Sequence, residues 1–250
     1  MASNFPSNPQ MRCFAAGIKA GVPALFWGGP GEGKSAKLTQ HGNAWNMDTQ
    51  VIISAIRDPQ DFLGLPFLDG KVTRYADVDW AVRANEAAEA LVIFDELSTA
   101  RPEVQAAVLR VTQERVVGNL PLKDSVHLAA AANPSEIAAD GFELAAPLAN
   151  RFMHLDWQFD PEEWAKGMMI GFDNLPVPGL DQLANGTDAS RAAAFGAVLA
   201  FTTKHMPHKL NPGVPDNAVA AGKAWASPRS WHNVARVLGE LTPGDIGARL

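Results

Sequence analysis

The sequence predicts an α/β protein, a parallel five-stranded sheet with helices on both faces, followed by a small all-helical C-terminal part. Three observations predict it. Five short runs are almost wholly apolar: Ala24 to Gly28, Val51 to Ala55, Leu91 to Leu97, Val126 to Ala132 and Phe152 to Trp157. Uniform apolarity without alternation is the mark of strands covered on both faces. Segments with helical spacing lie between them, and after Trp157 no further strand pattern is found. The boundary is placed near residue 158, with an α/β core over 1–158 and a helical lid over 159–250.

The elements follow in order. Asn8-Pro9 reads as an N-cap and first helical position, Met11, Phe14, Ala15 and Ile18 recur on one face, and Gly21 ends the helix. The run ALFWG from Ala24 is a buried strand, and VIISA from Val51 is the next. Asp69-Gly70 marks a turn within Leu63 to Thr73, and Gly118-Asn119 marks another within Arg115 to Asp124; both segments read as small hairpins. Pro102 to Arg115 sets Val104, Ala107, Val108 and Val111 along one helical face. Asp160-Pro161-Glu162-Glu163 opens the first C-terminal helix with a cap, an N1 proline and a capping-box glutamate. Asp188 to Met206 reads as a second helix and Ser227-Pro228 opens a last one carrying Trp231, Val234, Ala235 and Leu238. Asn174 to Asp188 reads as a loop.

Composition narrows the class. The chain has 250 residues, enough for one or two domains with a full core. Its 47% apolar and 19% charged residues exclude a disordered chain, a coiled coil and a collagen-like repeat. A formal net charge of −6 argues against nucleic acid as the default partner, while leaving room for a local basic groove. Cys13 is the single cysteine, so an internal disulfide and a CxxC zinc site are both excluded. MASNFPSNPQ lacks the charged start and apolar stretch of a signal peptide, and no apolar run approaches the roughly 20 residues that span a bilayer. A cytoplasmic protein is expected.

Two motifs carry chemistry. Gly28 to Ser35, GGPGEGKS, fits the pattern GxxxxGK[ST] between a strand and a helix. Glycines let such a loop fold so that backbone N–H groups point at phosphates, and the following helix adds the positive end of its dipole. Gly29, Pro30, Gly31, Glu32, Gly33, Lys34, Ser35 and Ala36 are therefore the candidate nucleotide-binding residues. Lys34 would reach the β- and γ-phosphates, and the Ser35 hydroxyl would ligate Mg²⁺. The second motif, Leu91-Val92-Ile93-Phe94-Asp95-Glu96, is a strand that delivers two carboxylates to the sheet edge where open α/β sheets bind ligands. Asp95 is the candidate for the metal shell and Glu96 for polarising the attacking water.

With GxPGxGKS, a second motif ending in Asp-Glu, and a later strand ending in Ala132-Asn133-Pro134, the chain resembles the AAA+ ATPases over nearly its whole length. Arg57 to Pro66 (RDPQDFLGLP) and Gln113 to Gly118 (QERVVG) resemble the MoxR-type branch, related to dynein-like and MCM-like modules. That branch carries an insert in its second helix and a hairpin before its fourth strand, for which 63–73 and 115–124 are the matching places. The resemblance implies ATP/ADP and Mg²⁺ as cofactors and a ring of subunits, with six expected. It implies that Asn133 is the sensor-1 residue orienting the lytic water. It implies that Arg151, in LANRF, enters the neighbouring subunit's site as a finger, and that Arg229 is sensor 2, binding the nucleotide and coupling it to movement of the helical lid. The last has independent support, because a cation in the first turn of a helix is disfavoured by about 0.3–1 kcal/mol unless an anion sits nearby. Arg115 is a further candidate for an arginine acting in trans, with a solvated helix end as the equal alternative.

The output that the branch implies is mechanical: remodelling or maturation of a protein client through the two hairpins, with a von Willebrand A-type domain as the implied partner. Two alternatives stand beside it. An MCM-like nucleic-acid motor needs basic hairpin tips, and Leu68 to Lys71 and Asn119 to Asp124 each offer one lysine beside acids. A nucleotide-gated scaffold with little turnover would not need Glu96, Asn133 and Arg151 together. His205 and His208 flank Pro207 and do not form a helical metal pair. Cys13 and the seven Trp read as packing residues.

Overall fold

The computed structural model describes residues 8–134 and 142–241. The reading of the first seven residues and the last nine of the C-terminal part lie outside them. Helix α1 (Pro9–Ala20) starts where expected: the Asn8 side chain accepts from the Gln10 N–H at 2.9 Å, and Gly21 closes the helix at φ 62°. Strand β1 (Ala24–Trp27) leads through the glycine loop into α2 (Lys34–Ala44). Then come β2 (Asp48–Ile53), the single turn α3 (Gln60–Leu63), and the hairpin β3 (Pro66–Asp69) and β4 (Val72–Tyr75). Helix α4 (Asp79–Glu86), β5 (Ala90–Asp95) and α5 (Pro102–Glu114) follow. A second hairpin, β6 (Val116–Val117) and β7 (Leu120–Pro121), precedes β8 (Val126–Ala132), the turn α6 (Ala146–Ala149) and β9 (Met153–Asp156). The C-terminal helices are α7 (Pro161–Ile170), α8 (Leu180–Leu183), α9 (Asp188–Ala200), α10 (Ala218–Ala221) and α11 (Pro228–Glu240).

Five strands form one wholly parallel sheet in the order β2-β5-β8-β1-β9. Side chains alternate between its faces, and each face has its own core. Leu25, Val92, Phe94, Leu128 and Ala130 pack under α4 and α5, whereas Phe26, Leu91, Ile93 and Ala129 pack under α1 and α2. Val237 and Leu241, at the end of the chain's last described helix, join the second core. Helix α1 is thus clamped between the sheet and α11, and the Arg236 guanidinium donates to the Ala20 carbonyl there. Among the described residues no strand follows β9, as expected.

Several boundaries differ from expectation, each for a local reason. Strand β2 begins three residues earlier than the apolar run. It is an edge strand, so Val51 and Ile53 are left exposed while polar Gln50 is buried and bonds to Asp48 at 2.9 Å. The first hairpin turns at Gly70, φ 64°, with strands at 66–69 and 72–75 rather than within 63–73. Helix α4 was not anticipated, because Val78 gives no side-chain cap; Ala81 and Ala84 anchor it by full burial. Helix α9 stops at Ala200 and widens into one π-helical turn, Phe201–His205, instead of running to Met206. The stretch expected as loop contains α8. The turn of the second hairpin meets the base of the first, where a side chain on Gly118 would strike the Leu63 carbonyl at 2.6 Å.

Candidate functional site

The glycine loop joins β1 to α2 at the carboxyl edge of the sheet. Gly31 and Gly33 stand at φ 78° and 81°, a region that favours glycine, and an added side chain at either would meet no atom within 4 Å. Backbone conformation alone therefore requires glycine at these two positions. Gly28 and Gly29 are tight for a different reason, with the Glu32 carboxylate 2.9 and 2.7 Å from where their Cβ atoms would lie. That carboxylate accepts the Gly29 N–H at 2.9 Å, so an anion already favours the loop's backbone donors.

Lys34 is 7% exposed, and its Nζ donates to the Gly28 carbonyl at 2.9 Å, the Gly29 carbonyl at 2.7 Å and Asn133 Oδ1 at 2.9 Å. Burial lowers its pKa, opposed by the charges of Glu32 and Asp95. Ser35 Oγ donates to Asp95 Oδ2 at 2.5 Å, which brings the two expected metal-binding groups together. A hydroxyl and a carboxylate are hard oxygen donors, the set that suits Mg²⁺. Glu96 follows in the left-handed region, φ 53°, rare for a residue other than glycine and costly by about 1–3 kcal/mol. This turn leaves the Glu96 side chain exposed at the strand end. Asn133, just beyond β8, is pinned through its backbone: its carbonyl accepts from Ser98 Oγ at 2.8 Å, and its N–H donates back at 3.2 Å. Pro30 to Ala36, Asp95, Glu96, Ala132 and Asn133 line one cleft of about 240 Å³. The sequence puts these residues in a glycine loop and at strand ends; the fold joins Lys34 to Asn133 and Ser35 to Asp95 by hydrogen bonds.

A second cleft of about 300 Å³ adjoins the first and shares Gly31, Glu32, Gly33 and Ala36 with it. Its walls are Lys37 and Gln40 on α2, Trp157 to Asp160 after β9, Glu163 and Trp164 on α7, and Phe172 beyond. The Lys37 ammonium pairs with Glu163 across it, and Trp157 Nε1 donates to the Glu32 carbonyl at 3.1 Å. Sequence reasoning missed this cleft, since four separated segments build it. It also corrects the reading of the Trp residues: Trp27 and Trp45 pack in the core, but Trp157 and the 49% exposed Trp164 line a cleft. Cys13 is only half-buried, with its thiol pKa raised by burial. No group of three His, Cys, Asp or Glu that could hold a metal is found among the described residues, His205 and His208 included.

The expected arginines lie elsewhere. Arg151 precedes β9, at the amino edge of the sheet, and its guanidinium donates to the Pro147 carbonyl and to Gln113 on α5. Its pKa is lowered by burial and by the charge of Arg229. Arg229, in the first turn of α11 after the Ser227 cap, is exposed and lines neither cleft. The fold thus places sensor-2 candidate and finger candidate side by side, both away from this chain's own phosphate loop. Neither pairs with a carboxylate among the described residues. Arg115 stands at φ 56° and donates to the Lys123 carbonyl at 2.5 Å and the Val126 carbonyl at 2.7 Å, also at the amino edge.

Two solved structures share this architecture. A candidate ATPase from Cytophaga hutchinsonii matches with a TM-score of 0.58 and 17% identity, over 94% of this chain and 77% of that one. A full-length MCM homolog from Methanopyrus kandleri matches with a TM-score of 0.51 and 13% identity, over 94% of this chain. The chain has the AAA+ ATPase fold. The chain spans 56% of the MCM homolog's length. No family model and no curated protein matches its sequence. No helix of the described residues is long and apolar enough to cross a membrane.

Proposed function

We propose that the chain is a Mg²⁺-dependent ATPase of the MoxR type, hydrolysing ATP to ADP and phosphate between the subunits of a ring. The observation that carries this is the separation of the site's parts. Lys34, Ser35, Asp95, Glu96 and Asn133 gather at the carboxyl edge, and Arg151 and Arg229 lie near enough to sense each other's charge at the amino edge, where Asn150 bonds Ser227. One chain holds the binding half of a phosphoryl-transfer site and, on its other side, the cationic half for a neighbour. Six subunits are expected from the resemblance, with the core over 1–158 and the lid over 159–250.

In this reading the loop N–H groups and Lys34 hold the phosphates, while Ser35 and Asp95 hold the metal, whose charge would offset that of the phosphate oxygens. Glu96 accepts a proton from the attacking water, and Asn133 orients that water from its fixed backbone. Arg151 and Arg229 of the adjoining subunit neutralise charge that develops on the transferred group. The second cleft takes the base and ribose, with Trp164 and Phe172 offering apolar faces and Gln40 and Glu163 offering polar ones.

The output is remodelling of a protein client, for which a von Willebrand A-domain protein is the branch's implied partner. The first hairpin supports a protein over a nucleic acid. Leu65, Phe67, Leu68 and Val72 are exposed on it, and Arg74 is engaged by Asp69 at 2.6 Å. Apolar tips suit a polypeptide; a phosphate backbone needs unpaired cations. The test is ATPase rate against protein concentration, with Arg151→Ala subunits mixed into wild type. Specific activity should rise with concentration and the mutant should poison it. A flat rate with a harmless mutant would refute the shared site.

A further inference from the structure

The turn that carries Arg151 is held by buried polar side chains from two sides. Asn150 is 5% exposed. Its Nδ2 donates to the Trp225 carbonyl at 3.1 Å, and its Oδ1 accepts from Ser227 Oγ at 2.8 Å. Only this orientation of the carboxamide works, because the Trp225 carbonyl can only accept. Ser227 is the N-cap of α11, its Oγ accepting from the Ser230 N–H at 3.1 Å, so Asn150 grips the helix end from which Arg229 projects. From the other side, His154 Nε2 donates to the Ala149 carbonyl at 2.8 Å while its Nδ1 accepts from Trp27 Nε1 at 2.8 Å. That pair of bonds fixes one neutral tautomer and ties the turn to the last residue of β1, next to the phosphate loop.

Two arginines that pair with no carboxylate among the described residues repel, and left free their side chains would move apart. The Asn150 clamp opposes this. If the turn and the α11 cap separate, a buried carboxamide loses both its partners. We propose that Asn150 is a positioning residue that locks the Arg151 turn to the N-cap of α11, so that Arg151 and Arg229 are presented to the neighbouring subunit's nucleotide as one unit. This rests on the reading of Arg151 as an arginine acting in trans.

The experiment uses mixed rings of two disabled subunits. A Glu96→Gln subunit keeps its arginines but cannot turn over; an Arg151→Ala subunit keeps its acids but supplies no finger. Mixed, they should regain ATPase activity at the interfaces where the first serves the second. Asn150→Ala is then added to one partner at a time. Placed in the arginine donor, it should lower the regained rate about 10- to 100-fold, the scale of an ångström-sized misplacement. Placed in the acceptor, it should change the rate less than twofold. Ser227→Ala in the donor should repeat the loss, and Ser227→Thr, which keeps the hydroxyl, should restore it. Equal losses in donor and acceptor, or none in either, overturn the proposal. If the undoped mixture regains nothing, the trans reading of Arg151 fails, and the proposal falls with it.

Discussion

The two edges of the central sheet are chemical opposites. At the carboxyl edge, Lys34 bonds to two loop glycines and Asn133, Ser35 bonds to Asp95, and Glu96 lines the same cleft. At the amino edge, Arg115, Arg151 and Arg229 are satisfied by carbonyls and an amide, or left exposed, with no acid pairing with Arg151 or Arg229 among the described residues. A parallel sheet explains the first edge, since every strand ends there and each brings a side chain to the same line. The second edge is assembled by returning helices and turns. Under the proposed function one half would bind the nucleotide and the other would neutralise its charge, which would put the chemistry between copies.

The largest expected effect tests that lesson directly. Arg151→Ala should cut turnover about 10³- to 10⁵-fold at the site of the neighbouring subunit, and mixing titrations of ATPase rate should show it. A loss confined to the mutant's own site would break the comparison. Next, Glu96→Gln should reduce turnover about 10²- to 10⁴-fold with ATP affinity retained, measured by equilibrium binding beside steady-state rate. This confines Glu96 to chemistry at the first edge. Trp164→Ala should weaken ATP binding about 5- to 100-fold, corresponding to one lost base–aromatic contact of roughly 1–3 kcal/mol. Binding of tripolyphosphate should be unchanged; equal weakening of both would place the base elsewhere.

The last expectation concerns folding stability against pH, not turnover or binding. His41, in the last turn of α2, is 2% exposed, with Nδ1 against the Lys37 carbonyl at 2.9 Å and its ring against Trp45. Burial pushes its pKa down from 6.5 to about 4. Between these values the unfolded chain binds the proton and the folded chain does not, so stability is full above pH 6.5 and falls as the pH drops toward 4. The loss reaches about 3 kcal/mol, at roughly 1.4 kcal/mol per pH unit. Urea unfolding across that range should show the slope, and His41→Gln should flatten it. His154 is lowered in the same direction by its own burial, so a residual slope in that variant reports the amino edge.

Legibility followed the range of the contacts involved. GGPGEGKS could be read because positive φ at Gly31 and Gly33 is a local demand, and caps such as Asn8, Asp160 and Ser227 are local too. Strand β2 was misplaced by three residues because its limits come from pairing Asp48 with Ala90 through Ile53 with Asp95, which its own apolar pattern does not record. Helix α4 lacks a cap and owes its place to burial of Ala81 and Ala84. The second cleft was invisible because Gln40, Trp157, Trp164 and Phe172 have no common spacing.

What the sequence determined by itself was the glycine loop between the first strand and the second helix, the strand that ends in two acids, and the parallel sheet that carries both. Short-range backbone geometry and strand apolarity suffice for these. Only the tertiary structure decided that Asn133 meets Lys34, that the base-sized cleft exists, and that Arg229 stands beside Arg151 instead of its own loop. The first follows from β8 pairing with β1, and the second from α7 docking on α2 through the Lys37–Glu163 pair. The third follows from burial of α11 against α1 and the Asn150–Ser227 bond across 77 residues of chain. Contacts of that range leave no periodic trace in a sequence.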